Sequence, residues 1–136
     1  LKEIIIIQNI CEEPVWEDIF STILMSCDGF ELSCPADEFP DECIYIKGAA
    51  QHADGLIIIK GQLEDYIKNI FYLCTEPSFD GEKPLLWNLK LYKKDVLCLA
   101  VEKYVTGKIH INQDLISHLR KNEVPLESLS YKWLQE

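Results

Sequence analysis

No apolar run in this chain approaches the roughly 18 residues that a membrane-spanning helix requires. Even Ile4 to Ile7 is followed at once by Gln8 and Asn9. There is no cationic leader ahead of an apolar signal segment, so a protein without an export signal, resident in the cytoplasm, is expected. Positive charge is scarce where the chain is most acidic: residues 1–82 hold 17 Asp or Glu against 4 Lys. DNA and RNA demand a cationic footprint, so nucleic acid is excluded as the expected partner. Chemistry-bearing patterns are missing too. No CxxC occurs, His52, His110 and His118 complete no zinc spacing, and neither GxxxxGK nor GxGxxG is present. Ser117 does not sit in a nucleophile elbow. No cofactor and no metal are expected.

What is present is enough for a core. The chain has 136 residues, 48% of them hydrophobic, which matches one compact domain over 1–136. Its six cysteines, at 11, 27, 34, 43, 74 and 98, are read as reduced and mostly structural. Cys74 and Cys98 follow or occupy apolar runs typical of buried thiols. The organising stretch is Leu85 to Ile111. Trp87, Leu89 and Leu91 share one parity of a strand from Leu85 to Tyr92. Val96, Cys98 and Ala100 share a parity in the next strand, with Leu97, Leu99 and Val101 on the other. A strand apolar on both sides fits the middle of a sheet, covered on both faces or packed under a helix. Thr106-Gly107-Lys108 is read as a turn before Ile109 and Ile111.

Elsewhere, residues 2–10 predict a first strand, and Pro14 starts a helix whose stripe is Val15-Trp16, Ile19-Phe20 and Ile23-Leu24. Gly29 is read as a positive-φ stop after it, with a hairpin around Asp28-Gly29 as the other option. Pro35 to Glu42 reads as irregular, Cys43 to Lys47 as a short strand, Gly48 to Gly55 as a polar link and Leu56 to Ile59 as a strand. Gln62 to Leu73 predicts a second helix facing inward through Leu63, Tyr66-Ile67 and Ile70-Phe71. After a loop from Thr75 to Pro84 and the central stretch, Asn112 is placed to cap a third helix over Gln113 to Lys121. Leu129, Tyr131 and Trp133 alternate as a last strand. The expected fold is α+β, one predominantly antiparallel sheet packed with two or three helices.

From Val101 the chain reads VEKYVTGKIHINQDLISHLRKNEVPLESLSYKW, with Ile109, Ile111, Leu115, Leu119, Leu129 and Tyr131 spaced as strand, turn, helix and final strand. This segment resembles the C-terminal half of a small bacterial domain found beside polymorphic toxins, some members of which are assigned as immunity proteins. Where that family carries an aspartate pair in the final strand, this chain has Ser130 and Lys132. The resemblance implies an inhibitor of a toxin.

Charge and resemblance lead to the same expectation: a non-catalytic immunity protein that binds a basic toxin effector, a nuclease among the candidates, and occludes its functional surface. The acidic segment PADEFPDE supplies Asp37, Glu38, Asp41 and Glu42 around Phe39, an apolar anchor in a ring of charge. Glu12, Glu13, Glu17 and Asp18 around Trp16 extend the expected binding surface. A scaffold or general binding domain is the second reading. A small enzyme using His52 and Asp54 is the third.

Overall fold

The computed structural model describes residues 3–38, 46, 48–74, 88–103, 105–111, 113–124 and 132–135. The described residues form one α+β layer pair, an antiparallel sheet under three helices. In order these are β1 (Glu3–Ile7), α1 (Trp16–Ser26), β2 (Gly29–Pro35), β3 (Ala49–Ala53), β4 (Leu56–Gln62), α2 (Asp65–Cys74), β5 (Asn88–Lys93), β6 (Val96–Glu102), β7 (Thr106–Ile111), α3 (Gln113–Lys121) and β8 (Lys132–Gln135). The eight strands lie in the order β3-β4-β2-β5-β6-β7-β1-β8, and every paired neighbour is antiparallel. Four reversals separate β1 from β2, so these two strands run in the same direction. α1 makes the crossover between them.

Strand alternation sorts side chains onto two unlike faces. Ile5, Ile7, Phe30, Leu32, Ile59, Leu89, Leu91, Leu99, Val101 and Ile109 join one core with the helical stripes. α1 contributes Trp16, Ile19, Phe20, Ile23 and Leu24, all buried, at the three- and four-residue spacing of one helical face. Each such burial stabilises by about 1.5–3 kcal/mol before ordering entropy is charged against it. Ile67 and Phe71 of α2 and Leu115 and Leu119 of α3 complete the layer, with Phe71 edge-on to Phe30 at 5.2 Å. The opposite face is open, as antiparallel sheets allow. There the row Lys60, Glu31, Lys90, Ala100, Lys108 crosses five strands in register. β6 is therefore packed under helices on one side only. Ala100 is buried on the other side between Lys90 and Lys108, whose aliphatic stems stand taller than its methyl group.

Glu31 is held in that row by Lys60 at 3.1 Å and Lys90 at 3.4 Å. Burial pushes its carboxyl up, but the Lys60 hydrogen bond and both lysine charges outweigh this and leave it below the ordinary value. The folded-state value is the lower one, so the stabilisation is present above the unfolded carboxyl value and lost as pH falls through the folded value. Glu31→Gln is expected to cost about 0.5–1 kcal/mol at neutral pH and almost nothing by about pH 2–3. Urea unfolding of both proteins across that range measures the convergence.

Several local expectations are corrected. Gly29 does not take positive φ; it opens β2, and α1 stops because Cys27 turns extended while its N–H still donates to the Ile23 carbonyl. The helix and the strand after it both form, so the Asp28-Gly29 hairpin is absent. Residues 49–53 are not a link but β3, joined to β4 through Asp54 and Gly55, both at positive φ. Tyr66 is exposed rather than inward. Thr106-Gly107-Lys108 is the start of β7, and the chain turns earlier, with Lys103 at φ 50. Gly107 serves packing there: a Cβ on it would lie 2.8 Å from the Trp16 ring. Trp87, most of Cys43 to Lys47, the Thr75 to Pro84 loop, the Asn112 cap, Leu129 and Tyr131 lie outside the described residues.

Candidate protein-binding surface

The start of α1 is assembled locally. Asn9 accepts from the Cys11 N–H at 3.1 Å and caps the short turn Ile10–Glu12. Glu13 folds back so that its carboxylate accepts from the Val15 N–H at 3.4 Å, close to the open amides of α1. That contact leaves Glu13 buried, and it corrects the expectation that Glu13 belongs to an exposed binding face. Trp16 is corrected likewise. It is 5% exposed, packed 5.8 Å from the Phe20 ring and against Gly107, so it is core and not a surface anchor.

Glu12, Glu17 and Asp18 are exposed. Glu17 and Asp18 occupy the first turn of α1, where the helix dipole favours anions. Asp37 is exposed in the short turn Ala36–Glu38, which is tied to the β3–β4 hairpin by Ala36 N–H donating to the Gly55 carbonyl at 2.9 Å. β1 and β2 run the same way, and both acidic segments follow the ends of those strands. The topology therefore brings Glu12, Glu17, Asp18 and Asp37 to one end of the sheet. Glu38 contributes its backbone to that turn; Phe39, Asp41 and Glu42 lie outside the described residues.

Two residues outside the sequence reading join this end. The Tyr72 hydroxyl donates to Glu17 at 2.8 Å, which ties the end of α2 to the start of α1. Leu73 beside it is 69% exposed. Tyr72 falls one position and Leu73 two positions past the inward stripe Leu63, Ile67, Ile70-Phe71, and apolar or aromatic residues just off a complete stripe are the signal that could have found them. The exposed Met25 lies at the other end of α1, where its carbonyl accepts from Lys68 Nζ at 3.0 Å.

The ion-paired cations sit elsewhere, although exposed Lys103 stands at this end, in the turn between β6 and β7. Among the described residues, the ion pairs Lys60–Glu31, Lys90–Glu31 and Lys108–Glu102 all belong to the open sheet face. None involves Glu12, Asp18 or Asp37. The acidic end is thus a concentrated negative field beside a small apolar and aromatic surface. Neither a protein-family model, nor a curated protein, nor a solved structure matches this chain.

Hollows lie elsewhere among the described residues. One, about 770 Å³, runs past Asp28, Lys60, Glu64, Tyr92 and Lys94 at the end opposite the acidic pole. Asp28 is engaged there in structure, accepting from the Lys94 N–H at 3.1 and 3.3 Å and so closing the β5–β6 turn. A second, about 600 Å³, lies over the open face between Glu31, Asn88, Lys90 and Lys103. The third, about 230 Å³, lies under α3 and is lined by Cys98, Asp114 and His118. His52 and Asp54 line none of these three. They project from the exposed edge hairpin, where the paired strand leaves one side open to water. Among the described residues, no group of three or more His, Cys, Asp or Glu is placed to hold a metal ion. No helix there is long and apolar enough to cross a membrane.

Proposed function

We propose that this domain is an immunity-type inhibitor that binds a basic bacterial toxin domain through the acidic end of its helical layer and occludes the toxin's functional surface. The observation that carries the reading is the separation of charge. Cations and their carboxylate partners share the open sheet face, while Glu12, Asp18 and Asp37 stand at one end without a cationic partner among the described residues. Such a field accelerates encounter with a basic surface and rejects acidic ones. A nuclease groove, cationic because it receives phosphate, has the matching sign. Tyr72 and Leu73 supply the apolar contact that an interface centre requires. The resemblance of residues 101–133 to toxin-associated domains supports the same class of partner.

The test begins with co-purification at modest salt from a bacterial source and continues with the purified partner. Glu12→Lys, Asp18→Lys and Asp37→Lys together leave the Glu17–Tyr72 bond in place. They are expected to weaken binding about tenfold or more at low salt and less at high salt, because screening already removes the field there. Titration calorimetry at two ionic strengths reads this out, with circular dichroism as the control for folding. Unchanged affinity would place the interface elsewhere. Tight binding that leaves the partner fully active would make the domain a scaffold rather than an inhibitor.

A further inference from the structure

β3 is the strand that the sheet leaves unguarded. It stands at one edge, paired to β4 alone, and all five of its residues are exposed. A free edge offers a row of unspent N–H and C=O groups, and proteins commonly shield such rows with charge, proline or a bulge. β3 has none of these. Its sequence is AAQHA, and it pairs with β4 from Ala49–Lys60 to Ala53–Leu56 without a slip. Every other described strand carries at least one Asp, Glu, Lys or Arg, including Lys132 in β8 at the opposite edge.

The hairpin fixes which groups face outward. Asp54 and Gly55 both take positive φ, as a two-residue type I′ turn requires, so Ala53 and Leu56 close the turn by bonding to each other. Alternation along the ladder turns Gln51 and Ala49 inward to β4 as well. It leaves the N–H and C=O of Ala50 and His52 directed outward. Pro35 agrees with this parity. It flanks Leu56 on the other side, where Leu56 has no bond left to share and no N–H is needed.

We infer that β3 is a dimer edge: a second copy of this chain lays its own β3 antiparallel to the first, about a two-fold axis at Gln51. In that register Ala50 of each copy exchanges both backbone bonds with His52 of the other. Gln51 faces Gln51 at the non-bonded position, where side chains stand closest. Charge selects this occupant. A basic partner finds no carboxylate on β3 to attract it, whereas a second copy brings a strand equally free of charge, so no like charges meet. Ala53 of one copy comes opposite Ala49 of the other, the neighbour of Lys60, so each Asp54 carboxylate lies on the side of the other copy's lysine. The antiparallel fit also sends the two acidic ends to opposite ends of the joined sheet, where both stay open to another protein. A contact of five paired residues falls short of the about 1,200 Å² of a stable interface, so the association is weak, with a dissociation constant of about 0.1 mM.

The test is sedimentation velocity of the full chain from about 10 µM to about 1 mM, at low and at high salt, in reducing buffer. A sedimentation coefficient rising with concentration from monomer towards dimer is expected, with a dissociation constant about threefold or more lower at high salt. Each copy carries a net charge of −10, and screening removes that repulsion. This sign is the reverse of that expected for binding a basic partner, so one salt series tells the two surfaces apart. Gln51→Lys sets two ammonium groups against each other at the axis and should abolish the dimer. Circular dichroism and the urea midpoint should stay unchanged, because Gln51 is exposed. Gln51→Cys in a chain that also carries Cys11→Ser should, under mild oxidation, give a dimer linked through the introduced thiols, mapped by mass spectrometry. Cα atoms opposed at about 4.5 Å lie within disulfide reach. Ala49→Cys in the same chain faces Ala53 instead and should cross-link far less. The inference is overturned by a monomer at every concentration and both salts, or by a Gln51→Lys protein that dimerises as well as the unaltered chain.

Discussion

Phe20→Ala is expected to lower the unfolding free energy by about 3–5 kcal/mol. Phe20 is fully buried at the middle of α1, the helix that packs against both α2 and α3 as well as on β5. Removing its ring forfeits transfer free energy and leaves a cavity whose walls are other fixed core groups. Trp16 on one side is itself wedged against Gly107, and Ile19, Ile23 and Leu24 are committed to the sheet. Little can collapse into the gap, which places the loss in the upper part of the range. For a domain of ordinary stability, about 5–15 kcal/mol, this removes roughly a fifth of the total or more. Urea denaturation should show a lower midpoint with an unchanged slope. Leu73→Ala, on the exposed end of α2, should change stability by less than about 0.5 kcal/mol, so the two truncations separate core from surface.

Gly107→Ala is expected to cost about 1–3 kcal/mol, and the cost should depend on Trp16. The added methyl would stand 2.8 Å from Trp16 Cζ3 and 3.1 Å from Ile10 Cγ2, inside any ordinary contact. Both atoms belong to rigid, buried groups, so the strand or the helix must shift. Trp16→Phe removes the outer ring atoms that Cβ would strike. It also removes an indole N–H that is buried without a hydrogen-bond partner among the described residues. In a double-mutant cycle the pair should therefore be more stable than the sum of the single changes allows. Strict additivity would mean that Gly107 is there for its backbone freedom rather than for the ring.

These two positions also show where the sequence was legible and where it was not. The helical stripe through Ile19-Phe20 and Ile23-Leu24 and the alternation of Leu89 and Leu91 follow from periodicity alone, because burial on one face is all they record. Gly107 invited a turn because glycine most often marks one, whereas here it makes room for an indole that comes from 91 residues earlier. Periodicity puts Trp16 in the buried stripe while its carboxylate neighbours suggest a binding surface, and the stripe is the reading that holds. In an α-helix its neighbours in sequence point elsewhere, so Glu17 and Asp18 face water while Trp16 does not. The acidic character of the α1 start was plain in the residue types. That Asp37 shares an end with it depended on strand order, which no local pattern states. Cys98 reads as a buried thiol and is one, but the slip that pairs Leu91 with Leu99 and Tyr92 with Leu97 is a property of two strands together and no local pattern shows it.

The place of β1 has a consequence for how the protein is made. Its isoleucines at 5 and 7 pair with Ile109 and Gly107 of β7, and Ile5 also faces Trp133 of β8. Both partners emerge from the ribosome long after β1, about 5–20 s later at ordinary rates of synthesis. Through that interval an IIII segment with strong β-propensity has neither of its neighbouring strands to pair with. The hairpins β3–β4 and β5–β6–β7 close over short turns and need no such wait. β1 is thus among the last of these strands to be seated, and holdase chaperones have their clearest task at its four isoleucines.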